Sequence, residues 1–289
     1  MTGVGALFRP QVPPEKLREC VTAAEEAGLD ELWLFEDCFY QTGIGSAAFA
    51  LAWTERLRVS VGVVPAPMRN VAMTAMEAAT LLRTSGGRFT LGVGHGGQDW
   101  MAQAGVKPVS PLTFLREYLT ALRALLHGEN VTQDGRYVSL TGVRLEWPPA
   151  DPPPILVGAM GPQSMRLSGE LADGTIVGLP DPDLVASARK LVDEGRARAG
   201  RTDHHRLIVS VSAPTGPGST DRLRAELAAF GAKMPEQYAN GVTPESSVKL
   251  IRALVDAGAD DVIVGTTADD PDPAGFIRYV AGELRPAVQ

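Results

Sequence analysis

Apolar positions along this chain follow two alternating periods. Stretches with apolar residues three and four apart, the mark of a helix with one buried face, give way to short runs apolar throughout. The handover repeats. EEAGLDELWLFE (25–36), GELADGTIVGL (169–179) and VDAGADDVIVGT (255–266) each close a helix at a small residue or Gly, pass an acid and enter an apolar strand. Gly after a helix suits the left-handed cap, and a strand apolar on both faces is what a buried parallel sheet requires. The pattern predicts strands at 3–8, 31–36, 58–64, 89–94, 155–159, 174–179, 206–213 and 261–266. Helices are predicted at about 14–27, 46–53, 71–84, 111–127, 162–172, 182–199, 220–229, 244–257 and 273–284.

Eight strands alternating with helices point to an α/β chain built as a (β/α)8 TIM barrel, one domain over residues 1–289. One segment breaks the rhythm. NVTQDGRYVSLTGVRLEW (130–147) reads as a β-hairpin turning near Asp134-Gly135, a small excursion between the helix at 111–127 and the fifth strand. The Pro-rich PPADPPP (148–154) then returns the chain to the barrel.

Composition narrows the partners. A net charge of −7 argues against nucleic acid or an anionic membrane. The two cysteines, Cys20 and Cys38, lack CxxC spacing, which excludes a disulfide framework and fits a reducing cytoplasm. No apolar run approaches the roughly 18 residues of a membrane span, and MTGVGALFRP lacks the charged lead and apolar stretch of a secretory signal.

In a TIM barrel, ligands bind at the C-terminal ends of the strands. The second strand ends in Glu36-Asp37-Cys38; these carboxyls could do acid/base work, or cap a turn and pair with an Arg such as Arg69. His95 is the one histidine at a predicted strand end, and no pair of the four histidines has metal-ligand spacing. In GAMGPQS (158–164), two glycines allow close backbone approach and Pro162 suits the first turn of a helix. The turn could hold a phosphate on its exposed N–H groups or be an ordinary helix start.

RFTLGVGHGGQDWM (88–101) carries Gly92, Gly94 and Gly97 at G-x-G-x-x-G spacing. A dinucleotide fingerprint needs a helix beginning inside it and an acid about 20 residues on at the next strand's end. Residues 98–111 predict no clean helix and Glu117 falls within one, so that reading fails.

Taken in order, LWLFEDCF, VGVVPAPMRNVAMTAMEAATL, GGRFTLGVGHGGQDWM, LREYLTALRALLHGENVTQDGRYVSL and ILVGAMGPQSMRLSGELADG resemble the luciferase-like monooxygenase family, especially its branch using the deazaflavin coenzyme F420. The resemblance covers about residues 5–180. It implies a homodimeric barrel holding F420, or FMN, at the strand ends. GAMGPQS would then be the phosphate turn, with Gly158, Ala159, Gly161, Gln163 and Ser164 carried over. The segment Val63-Val64-Pro65 matches one that bulges behind the flavin ring, with a non-proline cis peptide expected within 61–66. Glu36-Asp37-Cys38 stands where F420-dependent relatives often carry Asp-His, so Cys replaces the imidazole. Relatives also carry a glutamate where this chain has Gly97, leaving His95 as a proton handler by position, with Glu36 or Asp37 as alternatives. Gly92, Gly94 and Gly96 would make room for the ring system.

The implied activity is hydride transfer between F420 and a small organic substrate. The alternatives are an FMN-dependent monooxygenase of the same fold, a non-redox barrel enzyme acting on a phosphorylated metabolite, and a flavin-binding protein without catalysis.

Overall fold

The computed structural model describes residues 2–178, 180–229 and 231–289. All eight barrel strands form: β1 (Gly3–Phe8), β2 (Glu31–Leu34), β3 (Arg58–Pro65), β4 (Phe89–Gly94), β7 (Ile155–Gly158), β8 (Gly174–Val177), β9 (Arg206–Ser212) and β10 (Asp261–Gly265). They close into a parallel barrel in the order β1-β10-β9-β8-β7-β4-β3-β2. The predicted sixth strand ran to Leu179, which lies outside the described residues. The hairpin is also present, β5 (Val131–Asp134) antiparallel to β6 (Ser139–Val143).

The helices that clothe the barrel are α1 (Leu17–Glu26), α2 (Gly43–Ala52), α3 (Val71–Thr84), α5 (Pro111–Leu126), α6 (Pro162–Leu171), α7 (Pro182–Arg198), α8 (Ser219–Ala229), α9 (Pro244–Asp256) and α10 (Pro273–Tyr279). Gly28 at φ 66° and Gly258 at φ 112° end α1 and α9 in the left-handed region expected of a glycine cap. One expectation is corrected: a short helix, α4 (Gln98–Gln103), does follow the glycine motif. The dinucleotide reading still fails, because β4 is a strand of a closed barrel rather than of an open doubly wound sheet.

Period-two alternation splits the core into two layers. Leu7, Trp33, Leu156, Ile176, Ile208 and Ile263 fill the barrel interior, whereas residues such as Val59, Val61, Val93, Val157 and Val209 pack outward beneath the helices. The large indole of Trp33 fits because its neighbours lack side chains. A Cβ at Gly5 or Gly62 would lie 2.9 or 3.0 Å from that ring. At the N-terminal end the interior closes with charges. The Ser60 hydroxyl donates to Glu31, and Arg206 Nε donates to Asp261 at 2.9 Å.

Candidate active site

Counting inward positions up each strand defines the C-terminal mouth. Leu7, Trp33 and Ile208 point inward, so Arg9, Asp37, Ser210 and Ser212 continue the same face on their strands. From β4, β7 and β8 the corresponding positions are Gly94, Gly158 and Gly178. The mouth is therefore charged at β1 and β2, hydroxyl-bearing at β9, and nearly bare between.

The third strand departs from strict alternation. Its pairing with β4 shifts between Val61 and Val64, and the Gly62–Val63 peptide is cis, within the segment where a non-proline cis peptide was expected. Cys38–Phe39 is a second cis peptide, which the sequence did not suggest. The shift turns Val63 into the mouth and Val64 out into the helix layer, where its side chain is fully buried. Val64 therefore has no side-chain access to a ligand in the mouth.

The bulge also changes the role of the glycines. A Cβ at Gly94 would lie 2.8 Å from Val63 Cγ2, and one at Gly158 would lie 3.1 Å from Val63 Cγ1. Gly92 is closed by the Val61 carbonyl at 2.6 Å. Gly96, at φ 70°, turns toward Met101 and Pro65. Gly92, Gly94 and Gly96 were expected to clear space for a ring system; in the structure they, with Gly158, clear space for Val63 and the chain turning beside it. Val63 then forms the apolar surface of the mouth at β3.

Glu36 and Asp37, adjacent in sequence, face opposite ways. Glu36 takes a bidentate pair from Arg69, Nη1 to Oε1 at 2.5 Å and Nη2 to Oε2 at 2.9 Å, and also accepts the Gly43 N–H at 2.6 Å. Both carboxylate oxygens are committed to bracing β2 against α2, which leaves Glu36 no free oxygen for proton transfer. Asp37 lies on the inward face. Burial pushes its carboxyl above the ordinary aspartate range, against Arg9 and Gln11, which pull it down. Burial likewise raises the Cys38 thiol, helped by Glu36 and Asp37, and a thiol held protonated is a poor nucleophile.

Arg9 escaped the sequence reading, yet it anchors the β1 side of the mouth. Its Nη1 donates to Glu226 of α8 and to the Thr266 carbonyl, both at 2.7 Å, and its Nε to Gln11 at 3.2 Å. His95 lies just past β4, with Nδ1 3.0 Å from the Gly96 carbonyl. A carbonyl only accepts, so in this contact Nδ1 is the donor.

The phosphate-turn residues divide. Gly161 caps α6; its N–H donates to Ser164 Oγ at 3.2 Å, and that hydroxyl donates back to the Gly161 carbonyl at 2.9 Å. The Ser164 side chain is thus buried and spent on its own turn. Ala159 faces outward at 1% exposure, its N–H donating to Ile176, so it too lies away from a ligand. What stays open is the start of α6: the exposed Gln163, the leading backbone N–H groups, and Gly161, whose Cβ would meet nothing closer than Ser164 Oγ at 3.8 Å.

Across the mouth, a cavity of about 800 Å³ opens between the β8–α7 loop, the top of β9, α8 and residues 232–238. In the circular strand order β9 stands four places from β3, diametrically opposite the Val63 bulge.

Residues 1–242 match the family model of luciferase-like monooxygenases. Among similar proteins of known activity, the 5,10-methylenetetrahydromethanopterin reductase of Methanolobus tindarius is 29% identical over 268 residues, 92% of this chain and 75% of that one. An F420-dependent glucose-6-phosphate dehydrogenase of Microbacterium testaceum is 33% identical over 214 residues, 66% of this chain and 61% of that one. Two solved structures share the fold end to end. The F420-dependent tetrahydromethanopterin reductase of Methanopyrus kandleri superposes with TM-score 0.83 at 22% identity, covering 100% of this chain and 99% of that one. An F420-dependent secondary alcohol dehydrogenase, solved with an F420–acetone adduct, superposes with TM-score 0.85 at 21% identity and the same coverage.

Proposed function

The chain belongs to the luciferase-like monooxygenase family, and from that premise we propose that it is an F420-dependent oxidoreductase acting on a small organic substrate. The observation that carries this reading is the strand-end face itself, where the irregularity in β3 turns Val63 inward and the first N–H groups of α6 stand open after β7. The relatives named for F420 support that cofactor over FMN.

The residues present fit such a group. Val63 would back the ring, and the N–H groups of Gln163 and Ser164 would hold phosphate at the positive end of α6, a helix of ten residues. A Cβ at Gly178 would meet only Met160 Sδ, at 3.7 Å, so the wall beyond Gly158 also stays open. When bound, the deazaflavin supplies hydride transfer. The protein's own task is to orient and to move a proton.

Asp37 is suited to that task. It faces inward, it is half-buried, and its raised carboxyl can hold a proton nearer neutrality than a solvated aspartate can. His95 lies just past the end of β4, two strands round the barrel from β2, with its Nδ1 turned to the Gly96 carbonyl. Glu36 and Arg69 hold the loop that carries Asp37 in place, and Arg9 ties the opposite edge to α8.

The reading takes residues 1–289 as one barrel domain acting as a homodimer in the cytoplasm. Supporting the dimer, α2 with the Trp53 that follows it and α3 leave Phe49, Trp53, Met73 and Met76 exposed, apolar side chains of the kind that interfaces cover. Phe49 and Trp53 stack at 5.3 Å on it. Two free cysteines are consistent with a reducing compartment, and among the described residues no helix is long and apolar enough to cross a membrane.

Titration of the purified protein with F420 and with FMN, followed by cofactor fluorescence, tests the proposal. Micromolar or tighter F420 binding, with FMN about tenfold weaker or worse, is expected. Failure to bind F420, or preference for FMN, overturns it.

A further inference from the structure

The cavity opposite Val63 bears on what the enzyme acts on, an inference that rests on the F420 reading above. Its volume of about 800 Å³ suits a small organic ligand. The inward-facing Ser210 and Ser212 form its floor, and Leu223, Leu227 and Met234 contribute apolar wall. Tyr238 fixes one side, its hydroxyl donating to the Ser212 carbonyl at 3.1 Å.

Two features restrict the occupant. The first is charge. Among the described lining residues Lys233 is the one basic side chain, against Asp181, Asp183 and Glu236. A dianionic phosphate would meet net negative surroundings there. The second is the chemistry of the floor. A serine hydroxyl both donates and accepts, so it can serve a carbonyl, which only accepts, and equally the alcohol formed from it.

We infer that the substrate is an uncharged, largely apolar ketone or secondary alcohol, its oxygen resting on Ser210 and Ser212 and its hydrocarbon body along Leu223 and Leu227. A sugar phosphate does not fit this cavity. In the reducing direction the carbonyl carbon gains a hydride from the reduced deazaflavin and the oxygen gains the proton that the Asp37 carboxyl holds, so C=O becomes CH–OH as the cofactor is oxidised and Asp37 is left as a carboxylate. Oxidation of the alcohol reverses both transfers.

The experiment is calorimetric titration of the protein, with and without F420, using 2-decanone and glucose 6-phosphate as probes. The expected result is saturable binding of 2-decanone and no measurable binding of glucose 6-phosphate over the same range. Ser210→Trp, which fills the floor, is expected to weaken 2-decanone about tenfold or more while F420 affinity stays within about twofold. Ser212→Ala, a smaller change, is expected to weaken it about fivefold. Tighter binding of glucose 6-phosphate than of 2-decanone, or 2-decanone affinity unchanged in both variants, overturns the inference. Loss of the cofactor reading shows separately, as wild-type protein that takes up the ketone yet fails to bind F420.

Discussion

The two ends of the barrel are built from the same alternating strands and treat charge in opposite ways. At the N-terminal end, Glu31, Ser60, Arg206 and Asp261 turn inward and satisfy one another. At the C-terminal end, Arg9 spends its donors on α8 and a backbone carbonyl, and the Asp37 carboxyl is left shifted by burial. Between Arg9 and Ser210 run small or absent side chains. A closed polar network stabilises; an acid raised by its surroundings in a concave mouth is equipped to exchange a proton. The comparison teaches that stability and chemistry are separated along the barrel axis.

Variants can break that separation or sharpen it. The largest effect is expected one layer above the base. Trp33→Ala should cost about 3–5 kcal/mol of stability, measured by denaturant unfolding, because Gly5 and Gly62 cannot fill the vacated space. Next comes acid sensitivity from His205, buried at the foot of β9 with Nε2 2.8 Å from Thr175 Oγ1. Burial, reinforced by Arg201 and Arg189, lowers its pKa from 6.5 to about 4. The depressed value means that the unfolded chain binds the proton more readily. Stability is therefore full above about 6.5 and falls as pH drops toward about 4, by about 3 kcal/mol at most. His205→Gln should flatten that limb in unfolding curves taken across the window, and an unchanged slope would count against the assignment.

The mouth should respond in activity instead. Asp37→Asn is expected to slow turnover about 100-fold while melting within a few degrees of wild type, because the role proposed for the carboxyl is proton transfer. His95→Ala, by contrast, is expected to cost much less in turnover; the reverse ranking would exchange their roles. The smallest expected effect separates binding from folding on one residue. Gly161→Asp places a better cap on α6, so stability should hold or rise. The added negative charge beside the helix N-terminus should weaken F420 about tenfold, read by fluorescence titration.

Much of this was legible in the sequence, for identifiable reasons. Short apolar runs marked all eight strands, three of them directly after a helix closed at a small residue or Gly, because that signal is local. The sequence also offered Glu36 and Asp37 together. Carrying the inward count from Trp33 separates them, and carrying it from Leu7 and Ile208 finds Arg9, Ser210 and Ser212, which were missed. Val64 and Ala159 fall outward by the same count once the bulge at Val63 is known. That bulge was reached through family likeness, since nothing local in Val61-Gly62-Val63-Val64 specifies it. The cavity was not legible. Its walls come from β8, β9, α8 and residues 232–238, brought together by packing rather than by spacing.

Closure of the barrel between β1 and β10 has a practical consequence for where the chain can be cut. The family match ends at residue 242, and β10 begins at Asp261. A truncated chain stopping at that boundary would keep every residue proposed to touch the cofactor. It would also leave β1 and β9 without their shared neighbour, each presenting a row of unpaired backbone groups over apolar side chains. Such edges recruit other strands. The expected product is an aggregating chain rather than a smaller enzyme, so the last strand and its helix act as the fold's protection against its own kind.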